Sequence, residues 1–147
     1  MLHWMPLLMT AFDTDAVSEI LLNNPAFVQR AATIPPDEQV ITVVTVEELL
    51  RGRLDKVREA QSRRETSALI AAYYWLVETV VKLGQVTILR DIEAAEAQFR
   101  TWQAAKLKVK PNYLRIAAIV FTAGATLVTR NRRDFALIPG LRVEFWS

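Results

Sequence analysis

Cysteine is absent from this sequence, which excludes both a disulfide framework and a thiolate zinc site. Histidine occurs once, at His3, so histidine-pair metal sites and histidine-based catalytic triads are not expected. Glycine is scarce as well, and the four glycines are too scattered along the chain to form a phosphate-cradling loop. Carboxylate oxygens are therefore the plentiful metal-binding groups that remain.

Length and hydropathy indicate a single globular unit. A chain of 147 residues is about the size of one domain, so we predict one domain over residues 1–147. The apolar runs are shorter than the roughly 18 residues that a membrane helix needs. The N-terminus lacks the basic region and the cleavage site of a signal peptide, so it is predicted to be a short leader before the first strand. We expect a cytoplasmic protein with no membrane segment.

Charge is unevenly distributed although the net charge is only +2. No carboxylate occurs between Glu96 and Asp134, and this window contains eight cations. Such a local excess is suited to contact with phosphates or with an acidic partner, although it is also compatible with an ordinary solvated face. The eight are Arg100, Lys106, Lys108, Lys110, Arg115, Arg130, Arg132 and Arg133.

The apolar segments predict five β-strands. They are apolar throughout rather than alternating, as the strands of a parallel sheet buried on both faces require. Helical segments separate them, so the pattern predicts an α/β fold, namely a three-layer α/β/α domain with a parallel sheet of about five strands. The predicted strands are Leu7–Phe12, Val40–Val44, Val86–Leu89, Ala125–Thr129 and Arg142–Phe145.

The segments between the strands carry helix signals. Thr45 and Glu48 match a capping box, which predicts a helix that begins there and continues to Gly84 with one apolar face. Asp91 is predicted to cap a helix that ends near Ala105, and Pro111 suits the first turn of the next one. The apolar face of the long helix consists of Leu69, Tyr73, Leu76, Val80 and Leu83. Two shorter helices are predicted at Ala16–Leu22 and Ala26–Ala32.

Acidic residues follow three of the predicted strands. Asp13 and Asp15 come after the first strand, Glu48 lies just beyond the second, and Asp134 follows the fourth. Ligands of open α/β sheets bind outside these strand ends, and oxygen ligands without histidine or cysteine favour Mg²⁺ or Mn²⁺. Each acid taken singly could instead cap a helix or turn. The residues alone therefore indicate an acidic metal site and leave the capping alternative open.

Several segments together resemble VapC-type PIN domains, the metal-dependent ribonucleases of toxin–antitoxin pairs. They follow the order of that family's sequence blocks and extend over essentially the whole chain. Pro111–Ile119 resembles the start of a further block. The main matching segments are Phe12–Glu19, Val43–Gly52, Ala125–Phe135 and Ile138–Trp146.

The resemblance implies a five-stranded parallel sheet and endoribonuclease activity with Mg²⁺ or Mn²⁺. It also implies a VapB-type antitoxin, an RNA substrate and a homodimer. Asp13 would be the first metal ligand and Glu48 the second, while Asn131 and Asp134 would occupy a fourth, more variable polar position. Candidates for RNA backbone contacts are Arg115, Arg130, Arg132 and Arg133.

Tyr113 departs from the resemblance, since the family usually has an aspartate at this position. A phenol with a pKa of about 10 is neutral at pH 7 and is a poor ligand for a hard cation. Two hypotheses follow: a ribonuclease impaired by Tyr113, or a catalytically silent PIN fold that binds an antitoxin, a partner or RNA. A receiver-like domain with Asp91 as its phosphate acceptor is a third alternative, although no lysine follows the last strand.

Overall fold

The computed structural model describes residues 8–147, so the expectations about the N-terminal leader and His3 lie outside the described residues. Its centre is a sheet of five strands that pair in parallel, in the order β3-β2-β1-β4-β5. This confirms the predicted three-layer α/β/α fold. The strands are β1 (Thr10–Phe12), β2 (Gln39–Thr42), β3 (Thr87–Leu89), β4 (Thr126–Thr129) and β5 (Val143–Phe145).

Helices cover both faces of this sheet. A short 3₁₀-helix at Pro36–Glu38 precedes β2. Within residues 8–147, none of the helices combines the length and apolarity needed to cross a membrane. The helices are α1 (Thr14–Leu21), α2 (Pro25–Ala31), α3 (Val43–Arg63), α4 (Thr66–Leu83), α5 (Glu93–Ala104), α6 (Pro111–Thr122) and α7 (Arg132–Phe135).

The two central strands bury side chains on both faces, which is why their sequences are apolar without alternation. Ala11 and Leu127 pair across β1 and β4 and belong to the core beneath α5 and α6. Phe12 and Val128 are the next pair, and they belong to the opposite core, together with residues of α1, α2 and α3. Consecutive residues of a strand point to opposite faces of the sheet. Two residues that are adjacent in sequence, such as Ala11 and Phe12, therefore belong to different cores.

The helix after β2 begins earlier than the sequence predicts. Thr42 ends the strand and caps α3, its hydroxyl oxygen accepting a hydrogen bond from the backbone N–H of Thr45 at 3.2 Å. The predicted capping box of Thr45 and Glu48 is therefore wrong, because Thr45 already lies inside the helix. Glu48 follows more than a turn later and its carboxylate is available to other groups.

The predicted long helix is in fact two helices. Arg64 adopts a left-handed conformation with φ of 55°, and the chain turns back so that α3 and α4 pack against each other. Across this contact the guanidinium of Arg53 donates a hydrogen bond to the buried hydroxyl of Thr79 at 2.9 Å. Tyr73 and Val80 do not belong to the buried face as predicted, since 46% and 53% of their surfaces are exposed. Periodicity could not identify the inner face because α4 is apolar on nearly every side.

The predicted start of α5 is wrong, whereas the predicted start of α6 is confirmed. Asp91 is not the cap of α5, because that helix begins at Glu93 and has no side-chain cap. Pro111 occupies the first turn of α6 as expected. Gly124 follows the end of that helix with φ of 71°, a left-handed conformation that only glycine adopts without strain.

Two glycines test this backbone requirement. A methyl group would meet no atom within 4 Å at either Gly124 or Gly52. An alanine at each site therefore changes stability only through the conformational preference of the backbone. We expect Gly124→Ala to lower the free energy of unfolding by about 1 kcal/mol, because of its positive φ. Gly52→Ala, inside α3, should raise it by up to about 1 kcal/mol. Urea denaturation of both variants measures the two effects, and a shift of the same sign in both would contradict the assignment.

Candidate functional site

Asp13 is the central residue of the acidic site at the C-terminal ends of the strands. It follows β1 directly, and only 2% of its surface is exposed. One carboxylate oxygen accepts a hydrogen bond from the backbone N–H of Ala16 at 2.8 Å, which makes Asp13 the N-cap of α1. The other accepts a short hydrogen bond from the hydroxyl of Thr129, the last residue of β4. Asp13 thus has a structural role as a cap and also faces the site.

The Asp13 carboxyl has an unusual proton affinity. Its pKa is raised from 3.8 to about 6, chiefly by burial. The hydrogen bonds from Thr129 and Ala16 oppose this rise, and the negative charges of Asp15 and Glu48 add to it. The ionised form is therefore costly in this environment. A positive charge placed beside it would offset that cost.

Glu48 approaches the same edge from α3. Its carboxylate accepts a hydrogen bond from the hydroxyl of Thr14 at 2.7 Å and a long one from the amide of Asn112 at 3.4 Å. The hydroxyl of Thr14 also lies 3.1 Å from that of Thr45. The side chain of Glu48 therefore links the beginnings of α1 and α6. Its negative charge also contributes to the raised pKa of Asp13.

Asn131 and Asp134 form a closed pair after β4. The side-chain oxygen of Asn131 accepts a hydrogen bond from the backbone N–H of Asp134 at 3.2 Å, and its amide donates to the Asp134 carboxylate at 2.8 Å. The backbone N–H of Asn131 donates to the hydroxyl oxygen of Thr129 at 2.9 Å. Thr129 therefore connects this pair to Asp13.

Tyr113 lies among these acids. Burial raises the pKa of its phenol, and the negative charges of four carboxylates raise it further, with Asp15 first and followed by Asp134, Glu48 and Asp13. All four act on a single hydroxyl because α6 begins at the same sheet edge. The phenol is accordingly neutral at physiological pH and stands where the resemblance expects a negatively charged ligand.

The ring of Tyr113 has one aromatic and one cationic neighbour. Its centroid lies 5.5 Å from that of Phe135, and the ammonium group of Lys110 lies 5.8 Å from the ring centroid. Tyr113 therefore packs as an aromatic residue at the edge of the core.

The acids surround Tyr113 without converging on a common point. Within residues 8–147, no three histidine, aspartate or glutamate side chains lie close enough together to hold a metal ion. The phenol adds bulk among them and contributes no negative charge. This arrangement does not fit a tightly bound divalent cation.

The four arginines that the resemblance suggests for RNA contacts lie in different surroundings. Arg115 forms an ion pair with Glu96 at 2.5 Å, and its guanidinium lies 4.0 Å from the Phe99 ring centroid. Arg130 pairs with Glu19 at 2.7 Å. The remaining two are exposed, Arg132 against the ring of Phe145 and Arg133 beside the acidic site.

A basic groove next to Asp134 was not identified from the sequence. It has a volume of about 620 Å³, and its cations are Lys108, Lys110 and Arg133. Leu107 and Val109 pack against the core, so the alternation of lysine with apolar residues turns the lysines outward. In the sequence, the alternation of lysine with apolar residues is the feature that could have predicted this basic surface. The remaining lining residues are Leu107, Val109, Asp134 and Leu137.

A second groove lies on the other side of the Asn131–Asp134 pair. It has a volume of about 420 Å³ and is lined by Asp15, Ser18, Glu19, Arg130 and Asn131. The two grooves adjoin where Asn131 is hydrogen-bonded to Asp134. The acids therefore lie between two open surfaces, one of which is strongly basic.

Asp91, the acceptor of the receiver-like alternative, lies apart from this site. It is exposed beyond the edge strand β3, and its charged neighbours are Glu96 and Arg115. Burial and the charge of Glu96 raise its pKa, and Arg115 opposes them. Asp91 is not among the acids that act on Tyr113.

The raised pKa of Asp13 predicts a pH-dependent stability. Its pKa of about 6 in the folded chain exceeds the ordinary value of 3.8, so folding favours the protonated carboxyl group. The contribution of this group to the free energy of unfolding is fully present below pH 3.8 and is lost as pH rises through 6. Asn can retain the cap and the contact with Thr129 without the charge. We expect Asp13→Asn to be more stable than the natural chain at pH 7.5, by up to roughly 3 kcal/mol, and to lose this advantage below pH 4. Urea denaturation at several pH values measures it, and a pH-independent difference would contradict it.

Comparison with known proteins relates this architecture to solved structures. No family model and no curated protein sequence matches the chain. A chain of a DNA-bound VapBC structure from Salmonella typhimurium is 25% identical, with a TM-score of 0.73 over 95% of this chain and 99% of that one. VapBC-1 from nontypeable Haemophilus influenzae is 22% identical, with a TM-score of 0.71 over 95% and 98%.

A promoter-DNA-bound VapBC2 from Rickettsia felis is similar to the same extent, at 20% identity and a TM-score of 0.71 over 95% of this chain and 100% of that one. All three similarities extend over nearly the whole of both chains. The chain therefore has the fold of the VapC-type structures, as the resemblance of its sequence implies.

Proposed function

We propose that this chain is the VapC-type member of a toxin–antitoxin pair, a homodimer whose partner is a VapB-type antitoxin and whose substrate is RNA. The observation that carries the proposal is the position of Asp13 and Glu48, which approach each other at the C-terminal edge of a VapC-type sheet. The similar solved structures are themselves VapBC assemblies, which supports an antitoxin as the partner.

The proposed reaction is endoribonucleolytic cleavage, and its rate in this chain is low. Mg²⁺ or Mn²⁺ supplies the activated water and the charge stabilisation in phosphoryl chemistry of this kind. Asp13, Glu48, Asn131 and Asp134 are the residues of this chain that would hold such an ion. They fit it poorly because the neutral phenol of Tyr113 lies among them, so the chain lacks the negative charge needed to hold a divalent cation tightly.

Replacing Tyr113 tests the proposal. We expect Tyr113→Asp to raise Mn²⁺-dependent cleavage of a single-stranded RNA at least tenfold, since it removes the ring and adds a carboxylate. Added Mn²⁺ should also raise the melting temperature of this variant more than that of the natural chain. Cleavage is followed on a labelled RNA with and without chelator.

Two controls accompany that measurement. Tyr113→Phe keeps the ring without adding charge and should remain as slow as the natural chain. Adding Asp13→Asn to Tyr113→Asp should abolish the gained cleavage. Equal cleavage by the natural chain and Tyr113→Asp, or cleavage that survives both chelator and Asp13→Asn, would reject the proposed site.

The basic groove favours a second candidate function, binding of RNA without cleavage. Lys108, Lys110 and Arg133 make no ion pair within the described part of the chain, unlike Arg115 and Arg130. Cations without an ion-pair partner beside an apolar floor are suited to the phosphates and the less polar parts of a nucleic acid strand. This function does not require the acids to hold a metal.

Removing these charges tests the binding function. In chelator, we expect Lys108→Gln, Lys110→Gln and Arg133→Gln combined to weaken binding of a 20-nucleotide RNA at least tenfold. The slope of log affinity against log salt should become shallower by roughly 2, since three phosphate contacts are lost. Fluorescence anisotropy measures both quantities.

The matched control removes three arginines from the outer surface of α3, namely Arg51→Gln, Arg58→Gln and Arg63→Gln. Each of these arginines already pairs with an acid of the same helix. The control has the same net charge as the groove variant and should retain most of the affinity. Similar losses in both triple variants would show that only overall charge matters.

A further inference from the structure

A groove between the two helices of the α3–α4 hairpin, the α3–α4 groove, has no part in the proposed function. It has a volume of about 360 Å³, and none of its lining residues belongs to the acidic site or to the two grooves beside that site. Small side chains form its bottom, since Ala60 and Ala72 are buried and Ala68 is half-buried. The exposed Ala71 and the indole of Trp75, which is 41% exposed, complete its apolar lining.

Arg53 occupies one end of the α3–α4 groove in a fixed position. Together with Trp75 it is the lining residue farthest along the chain from the turn at Arg64. Its Nε donates a hydrogen bond at 2.9 Å to the hydroxyl of Thr79, which is 2% exposed. The central carbon of its guanidinium lies 5.6 Å from the ring centroid of Trp75. Two residues of α4 therefore fix a guanidinium group that α3 supplies.

The charge of Arg53 is not matched by a carboxylate. Within residues 8–147, Arg53 makes no ion pair, whereas the other three arginines of α3 each pair with an acid of the same helix. The hydrogen bond to Thr79 uses Nε, so both terminal nitrogens remain without a hydrogen bond inside that part of the chain. The paired arginines are Arg51, Arg58 and Arg63, with Glu47, Asp55 and Glu59 respectively.

The remaining charged residues of the groove do not supply that partner. The carboxylate of Glu59 lies 3.5 Å from the ammonium of Lys56 and 2.9 Å from the guanidinium of Arg63, so it is already shared by two cations. Glu65 lines the opposite end of the groove, roughly 15 Å from Arg53 along the hairpin, because a helix rises about 1.5 Å per residue. Arg53 is therefore the group at which an anion would bind.

We propose that the α3–α4 groove binds a small monocarboxylate with an unbranched apolar body. The carboxylate lies against the two terminal nitrogens of Arg53, and the apolar body follows the alanines beside the indole of Trp75. This site is separate from the acidic edge of the sheet, and the inference does not rest on the proposed function.

The chemistry of the groove favours a carboxylate over other anions. The two terminal nitrogens of a guanidinium match the two oxygens of a carboxylate in a bidentate pair. One guanidinium carries one positive charge, whereas a phosphate monoester would bring a second negative charge into a groove that already contains Glu59 and Glu65. An unbranched body suits a groove that is long and has small residues at its bottom. A mostly apolar lining with a single well-placed charged group is typical of small-molecule sites.

Calorimetry with octanoate tests the site. We expect one octanoate to bind per natural chain, and the neutral octanamide, which has the same apolar body, to bind at least tenfold more weakly. Arg53→Gln should weaken octanoate binding at least tenfold, because it removes the charge while its amide can still donate to Thr79. Arg51→Gln makes the same change of charge at an arginine that pairs with Glu47 and does not line the groove. It should bind octanoate as the natural chain does.

Filling the groove tests the same site without a change of charge. Ala71→Leu enlarges an exposed lining residue and should weaken octanoate binding at least tenfold. Ala94→Leu makes the same change at an exposed alanine of α5 and should leave the affinity unchanged. Circular dichroism checks that all four variants are folded. A natural chain that does not bind octanoate, or binding that octanamide or Arg53→Gln matches in strength, would overturn the proposal.

A labelling experiment distinguishes this ligand from a protein that covers the groove. The chain has no cysteine of its own, so Ala71→Cys provides a single thiol at the groove. Maleimide should modify this variant readily, and saturating octanoate should slow the reaction at least tenfold. Protection without octanoate that disappears on dilution would instead assign the groove to a second copy and overturn the proposal. All these measurements are made without RNA or metal, so an inactive nuclease site leaves their results unchanged.

Discussion

The hydrogen bonds to the Asp13 carboxylate hold the acidic site together. One oxygen caps α1 and the other accepts a hydrogen bond from Thr129 at the end of β4, so a single side chain joins β1, the neighbouring strand β4 and helix α1. The hydroxyl of Thr129 in turn accepts from the backbone of Asn131, which fixes the start of α7. Placing a charge in this buried position costs stability, as the pKa of about 6 shows. Functional sites commonly carry such a cost.

Tyr113 determines what this site can do. Four carboxylates act on its phenol, and mutually repelling acids at one sheet edge are normally reconciled by a cation. Here a neutral phenol lies among the acids. The lysine-rich groove beside Asp134 offers positive charge at the same edge. Carboxylates and cations that make no ion pair within residues 8–147 thereby adjoin at one edge of the sheet.

Helix ends can be predicted from the sequence where a single residue causes them, and not where packing between elements causes them. Pro111 and Gly124 mark the ends of α6 because ring geometry and a left-handed turn are properties of single residues. The cap of α3 was misplaced because Thr42 and Thr45 are equally good caps locally, and the end of β2 decides between them. The break at Arg64 was missed because no glycine or proline marks it and the packing of α4 against α3 imposes it.

Uninterrupted apolar strands separated by helices have few ways to bury both faces other than a layered parallel sheet, so the amino-acid sequence is sufficient to predict that architecture. The order of residues also predicts that Asp13, Glu48 and Asp134 follow strands, and therefore that they lie at one edge. The arrangement of these acids about Tyr113, without convergence on one point, depends on how α3, α6 and α7 pack, because packing sets the distances between side chains. Packing likewise distinguishes the buried face of α4 from the exposed one, since a helix that is apolar all round carries no local signal of which side the core will take.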